Sequence, residues 1–225
     1  MTPPAMRATA VPERPAIVRN RRVGVLISGR GSNLEALIDA TRNGSLDAAI
    51  AVVISNRADA AGLERARRSG IEALVIDHRG WPSRDDYDRA ILHELKARAV
   101  GLVCLAGYMR LVGPALLHAF PNAMLNIHPS LLPAFPGMNP QHQAIEHGVK
   151  VSGVTVHLVT SELDGGPIVL QRAVPVADDD TRETLADRIL ALEHHVYPEA
   201  VKIVLDGGWR IDGRRFIRPV DAASV

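Results

Sequence analysis

Arg22-Val23-Gly24-Val25-Leu26-Ile27-Ser28 runs directly into Gly29-Arg30-Gly31-Ser32-Asn33-Leu34, and the fold is readable from this junction. The first seven residues form a short apolar run, which suits a strand buried on both faces. The two glycines then let the chain turn sharply. Residues 33–42 follow with helical spacing in Leu34, Leu37 and Ile38, and Gly44 stops that helix. The same unit recurs downstream. Residues 49–54, 73–76, 101–105 and 123–127 read as further strands. The helices between them are expected at 60–69 with Gly70 beyond the end, at about 84–98 behind a Ser83 cap, and at 113–120 opened by Pro114.

Short apolar strands alternating with helices predict an α/β fold. It is a Rossmann-like, mostly parallel twisted sheet with helices on both faces. With strand order 3-2-1-4-5 the winding reverses between the first and fourth strands, and ligands then bind outside the carboxyl ends there. Loops 29–33, 106–110 and 126–133 would lie side by side. After Gly148 the pattern changes. Residues 151–159 alternate, 168–176 are β-like, and the turn-rich stretch 160–167 joins them, so a partly antiparallel C-terminal extension is expected. Residues 181–205 read as a long helix bent or broken at Pro198, and 209–216 as a hairpin turning at Asp212-Gly213. Residues 1–21 are rich in proline and arginine and lack any period, so they read as a loosely ordered N-terminal extension. Residues 22–225 then read as a single domain, with a phosphate-binding half to about residue 120 and a catalytic half after it.

Composition narrows the class. Hydrophobic residues make up 47% but aromatics only 4%, so aliphatic side chains must fill the core. The 26 Lys and Arg are balanced by 25 Asp and Glu and mixed with them, which gives no nucleic-acid footprint. No apolar run reaches membrane-spanning length, and no apolar stretch precedes Val23, so a cytoplasmic protein without membrane association is the expectation. The single cysteine, Cys104, lies within an apolar run and reads as a small buried hydrophobe.

The chemistry concentrates at Asn126-Ile127-His128, between an apolar strand and Pro129-Ser130-Leu131-Leu132-Pro133. Asn offers an amide donor and His a titratable nitrogen. A donor that holds an oxyanion, beside a group that carries a proton, suits attack on a carbonyl carbon. A turn in which both side chains merely satisfy backbone groups is the plainer alternative. The turn at Gly31, Ser32 and Asn33 lacks the third glycine of the dinucleotide fingerprint and the Lys-Ser/Thr of a Walker loop. Converging N–H groups and the helix N-terminus suit one terminal phosphate, or the turn is simply a helix cap. Asp164, in Leu163-Asp164-Gly165-Gly166-Pro167, could support His128 or form an Asx turn; spacing alone does not choose. His142 with His147 and His194 with His195 lack the spacing of a helical metal pair, so no metal is expected. Glu193 could face inward on the long helix or belong to a solvated face.

Taken in order, Ser28-Gly-Arg-Gly-Ser-Asn-Leu34, Ala106-Gly-Tyr-Met-Arg110, Asn126-Ile-His-Pro-Ser-Leu-Leu-Pro133, Thr155-Val-His157 and Asp164-Gly-Gly-Pro167 resemble the phosphoribosylglycinamide formyltransferases, within the formyltransferase superfamily. The resemblance spans about residues 22–208. It implies formyl transfer from 10-formyltetrahydrofolate to the amine of glycinamide ribonucleotide in purine biosynthesis. Formyltetrahydrofolate hydrolysis is the alternative. It further implies Asn126, His128 and Asp164 as a catalytic trio. Gly31, Ser32, Asn33 and Glu193 would bind the ribonucleotide, and Arg84, Met109, Arg110, Leu111, Val112, Val159 and Thr160 the folate. The partners implied are small molecules, and the chain could be a monomer or a homodimer. Whether His128 acts as an imidazolium or as a neutral base stays open. Asn139 stands where such chains usually carry a histidine, and the N-terminal extension is longer than usual.

Overall fold

The computed structural model describes residues 20–218. Its centre is one nine-stranded sheet in the order β3-β2-β1-β4-β5-β6-β7-β9-β8. The parallel part comprises β1 (Arg22–Ile27), β2 (Ala49–Ser55), β3 (Ala73–Val75), β4 (Leu102–Leu105) and β5 (Met124–His128). β6 (Val151–Leu158) runs antiparallel to β5, and β7 (Ile168–Pro175) antiparallel to β6. The hairpin of β8 (Arg210–Asp212) and β9 (Arg215–Ile217) closes the far edge, with β9 beside β7. The expected order and the reversal between the first and fourth strands are therefore observed.

The local reasons are those of the sequence. α1 (Ser32–Arg42) starts after Gly31, whose φ of +74° is natural for glycine. A Cβ at Gly31 would lie 2.6 Å from the Gly62 Cα, so the turn also needs glycine for close approach to α2 (Ala61–Arg68). α3 (Arg84–Ala97) is capped by the Ser83 hydroxyl, which accepts the Asp86 N–H, and α4 (Pro114–Ala119) opens on its proline. Every residue of β4 is buried, as a central parallel strand requires. α1 packs against α2 and against α6 (Arg182–Asp206), while α3 packs against α4.

Three features differ from expectation. α6 is one continuous helix with Pro198 inside it, so of the two expected outcomes the break does not occur; the flanking turns bury Val196, Tyr197, Ala200, Val201 and Val204, and this packing outweighs one missing N–H. Residues Pro140–Glu146 form a helix, α5, for which the sequence reading gives no element. The C-terminal hairpin pairs Asp212 with Arg215, which places the turn at Gly213-Arg214, one residue later than expected. At the other end, Arg21 is held by an ion pair from its Nη2 to Asp206 Oδ1 at 3.1 Å. Residues 1–19, most of the expected N-terminal extension, lie outside the described residues.

Candidate active site

Strand geometry assembles the first cluster. Side chains alternate along β5, so Asn126 and His128 share a face while Ile127 points away. β6 runs antiparallel to β5 with Asn126 directly opposite His157 and His128 opposite Thr155. Thr155 holds the proline-bracketed turn in place. Its hydroxyl donates to Ser130 O at 2.7 Å and accepts the Leu132 N–H at 3.0 Å. Gln171 of β7 donates to the same hydroxyl at 2.9 Å and to Leu132 O at 2.8 Å.

Asp164 enters from the β6–β7 loop with a φ of +50°, tolerable for aspartate in a tight turn. Its Oδ2 accepts the Gly137 N–H at 2.8 Å and lies 3.5 Å from His128 Nδ1. Its Oδ1 lies 3.4 Å from Asn126 Nδ2 and 3.6 Å from His157 Nε2. His128 Nε2 faces Phe135 O at 2.8 Å, and this neighbour must accept, so Nε2 carries a proton. By the same argument His157 donates from Nδ1 to Leu158 O at 2.9 Å. In its neutral form His157 therefore offers the Nε2 lone pair to the Asn126 amide, 3.2 Å away. The three residues named in sequence thus meet, and they meet with a fourth. The sequence motif Thr155-Val-His157 assigns His157 no role; its place opposite Asn126 needs the strand register, which no single segment reveals.

Electrostatics separate the two titrating partners. Burial lowers the His128 pKa, and the Phe135 carbonyl and Asp164 only partly restore it. Burial works the other way on Asp164, yet the His157 contact, the Gly137 N–H and the His128 ring outweigh it and hold the carboxyl below its usual range. The resting pair is therefore a neutral imidazole beside a carboxylate.

A second cluster lies at the end of β1. Ser28 N–H donates to Gly107 O at 3.1 Å, and the Ser28 hydroxyl accepts the Met109 N–H at 2.9 Å, so the glycine turn and the loop after β4 share a base. Asn33 Nδ2 donates to Glu193 Oε2 at 2.7 Å. Tyr197, one turn along α6 from Glu193, fixes that helix by donating to Leu105 O at 2.9 Å and contacting Leu125 O at 3.2 Å. β4 lies between β1 and β5, so the two clusters stand two strand spacings apart, about 10 Å. That is the reach of a small phosphorylated substrate.

The expected folate residues occupy the neighbouring loops. Leu105 pairs with Asn126, so the loop after β4 leaves beside the first cluster. There Met109 and Leu111 are exposed, and the Arg110 guanidinium stands 5.3 Å from the Tyr87 ring centre. Arg84 opens α3 next to Gly113, whose N–H donates to the buried Asp88 at 2.6 Å. Val159 follows β6, its N–H bonded to Met124 O at 2.9 Å, and Thr160 Oγ1 accepts the Glu162 N–H at 3.3 Å. Val112 is half-buried against the core. Exposed Met138 and Leu163 extend this apolar rim along the loops that flank Asp164. Asn139, where the resemblance leads one to expect a histidine, caps α5 in the left-handed region (φ +53°), which asparagine tolerates better than most side chains.

The sheet order and the two polar clusters at the carboxyl ends of its strands define the class, an α/β protein with its candidate site at the winding reversal. Comparison with known proteins makes this specific. The family described as Formyl transferase matches residues 21–201, and the chain belongs to that family. The phosphoribosylglycinamide formyltransferase of Escherichia coli (strain K12) is 45% identical over 183 residues, 81% of this chain and 86% of that protein. The glycinamide ribonucleotide transformylase 1 of Symbiobacterium toebii has a solved structure with a TM-score of 0.85 and 59% identity, covering 87% of this chain and 92% of that one. The trifunctional purine biosynthetic protein adenosine-3 of Homo sapiens is 48% identical over 189 residues, and there the chain spans only 19% of the relative's length. Among the described residues no helix is long and apolar enough to cross a membrane.

Proposed function

We propose that this chain transfers the formyl group of 10-formyltetrahydrofolate to the primary amine of glycinamide ribonucleotide, in the cytoplasm, as a step of purine synthesis. The observation that carries the reading is the meeting of Asn126, His128 and Asp164 on one sheet face, two strands from a turn suited to phosphate. The names of the relatives favour it over folate hydrolysis, which has no use for such a turn. Gly31, Ser32 and Asn33 would receive the phosphate and Glu193 the ribose. The apolar rim with Arg84, Met109, Arg110, Leu111, Val112, Val159 and Thr160 would receive the folate.

In this mechanism the amine attacks the formyl carbon and forms a tetrahedral oxyanion. Asn126 Nδ2 donates to that oxygen; its 3.4 Å contact with Asp164 is long, and a stronger acceptor displaces it. The resting imidazole of His128 takes up the amine proton at Nδ1, the ring nitrogen that is not already donating. Asp164 stabilises the imidazolium so formed. The proton then passes to the folate nitrogen as its bond to carbon breaks.

The test is turnover with and without the ribonucleotide. The parent protein is expected to release tetrahydrofolate only when the amine is present; release in its absence would establish the hydrolase instead. Asn126→Ala removes one oxyanion donor and should lower kcat by roughly 100- to 1000-fold. Asp164→Asn should lower it by a similar order, with the melting temperature of either variant little changed. Normal turnover in both would refute the assigned roles.

A further inference from the structure

We propose that the side chain of Asn33 is a positioning residue, which ties the Glu193 carboxylate to the glycine turn so that the sugar and phosphate ends of the substrate are read as one rigid unit. This rests on the reading of Glu193 and the turn given above and adds the part that joins them. Asn33 lies in the first turn of α1, directly after the residues whose N–H groups would face a phosphate. Its side chain leaves the turn and meets a residue 160 positions away. Asn33 is 8% exposed and Glu193 7%, so the bond between them is made out of contact with water.

The other half of the amide makes the case for a ligand. Asn33 Oδ1 is buried and has no hydrogen-bond partner. Buried acceptors are normally satisfied, and a phosphate, itself an acceptor, cannot satisfy this one. A sugar hydroxyl can. With Nδ2 committed to Glu193, Oδ1 is the half of the amide left for a hydroxyl donor. Glu193 is faced by Asn33 from α1 and, on its own helix, by Tyr197, beyond which stands Cys104 of β4. Asn33 is therefore the N–H donor that supports the carboxylate form, and its loss should be felt in how binding depends on pH.

Steady-state kinetics of the purified chain with glycinamide ribonucleotide and formyl folate test this. Asn33→Ala is expected to raise KM for the ribonucleotide about tenfold or more and KM for the folate less than twofold. The acid limb of kcat/KM should move to higher pH. In a Glu193→Ala background the same change should add clearly less than it does alone, because the share that Asn33 exerts through Glu193 is already lost. Asn33→Asp keeps the size and suits a helix N-terminus, so it serves if the alanine variant folds poorly, and it should show the same rise in KM and the same shift. A ribonucleotide KM raised by Glu193→Ala but untouched by Asn33→Ala would overturn the proposal and leave the substrate site standing. So would effects of the two changes that simply multiply. Ribonucleotide KM values unmoved in every variant would overturn the assignment of the substrate site together with it.

Discussion

A single buried carboxylate sets a measurable pH dependence. Burial of Glu193 raises its pKa from the ordinary 4.5 to about 7, and the bond from Asn33 only partly opposes this. A folded-state pKa above the unfolded one means stability that is fully present below about 4.5 and is lost as the pH rises through about 7. The full loss corresponds to on the order of 3 kcal/mol. Glu193→Gln keeps the shape, can still accept from Asn33, and has no charge to bury. Its unfolding free energy should therefore exceed the parent's by a few kcal/mol at pH 8 and match it at pH 5, read as denaturant midpoints at the two pH values. A difference that is the same at both would show that ionisation of this group is not what the buried site resists. Such a stability cost, which a glutamine would avoid, is what the proposed substrate-binding role of Glu193 would require.

At the scale of the element, β6 is the part that ties down the proline-bracketed turn after His128. Thr155 is fully buried, and its hydroxyl serves Ser130 O, the Leu132 N–H and the Gln171 amide at once. Thr155→Val keeps the volume and strands the Leu132 N–H, with a cost of about 1–3 kcal/mol. Because that N–H belongs to the turn behind His128, kcat should fall along with the urea midpoint. A variant that loses stability but keeps full turnover would separate the turn from the chemistry. Much of this level was legible from residues alone. The first five strands and four helices announce themselves through apolar runs, Ser83, Pro114 and glycine stops. α5 did not, because it is seven residues long, follows a left-handed Asn139, and buries only Pro140 and Ala144. Asn126 and His128 stand out because polar residues at a strand's end commonly carry function, whereas Asp164 is chosen over an Asx turn only through the family resemblance. His157 does not stand out, because its role follows from lying opposite Asn126 in an antiparallel register. The Asn33–Glu193 bond was invisible for the same reason at greater range.

Across the whole molecule, the packing runs without a break past residue 120, between the two halves of the expected single domain. β4, β5 and β6 are consecutive strands of one sheet, and Leu102, Val103, Leu125, Val156 and Leu158 from them belong to one buried cluster. Tyr197 of the late helix α6 bonds to the carbonyls of both Leu105 and Leu125, and α6 packs on α1 from the start of the chain. The two halves therefore share a core, and neither can unfold while the other keeps its buried surface dry. We expect one cooperative thermal transition, with calorimetric and van't Hoff enthalpies in agreement. Both clusters belong to that unit, so a ligand of either should stabilise all of it. Glycinamide ribonucleotide at 100 times its Kd contributes about 2.7 kcal/mol, which for a domain of this size raises Tm by roughly 5–10 °C. Differential scanning calorimetry with and without the ribonucleotide checks both points together. Two transitions, only one of which responds to ligand, would mean that the halves melt separately and that the continuous sheet does not couple them.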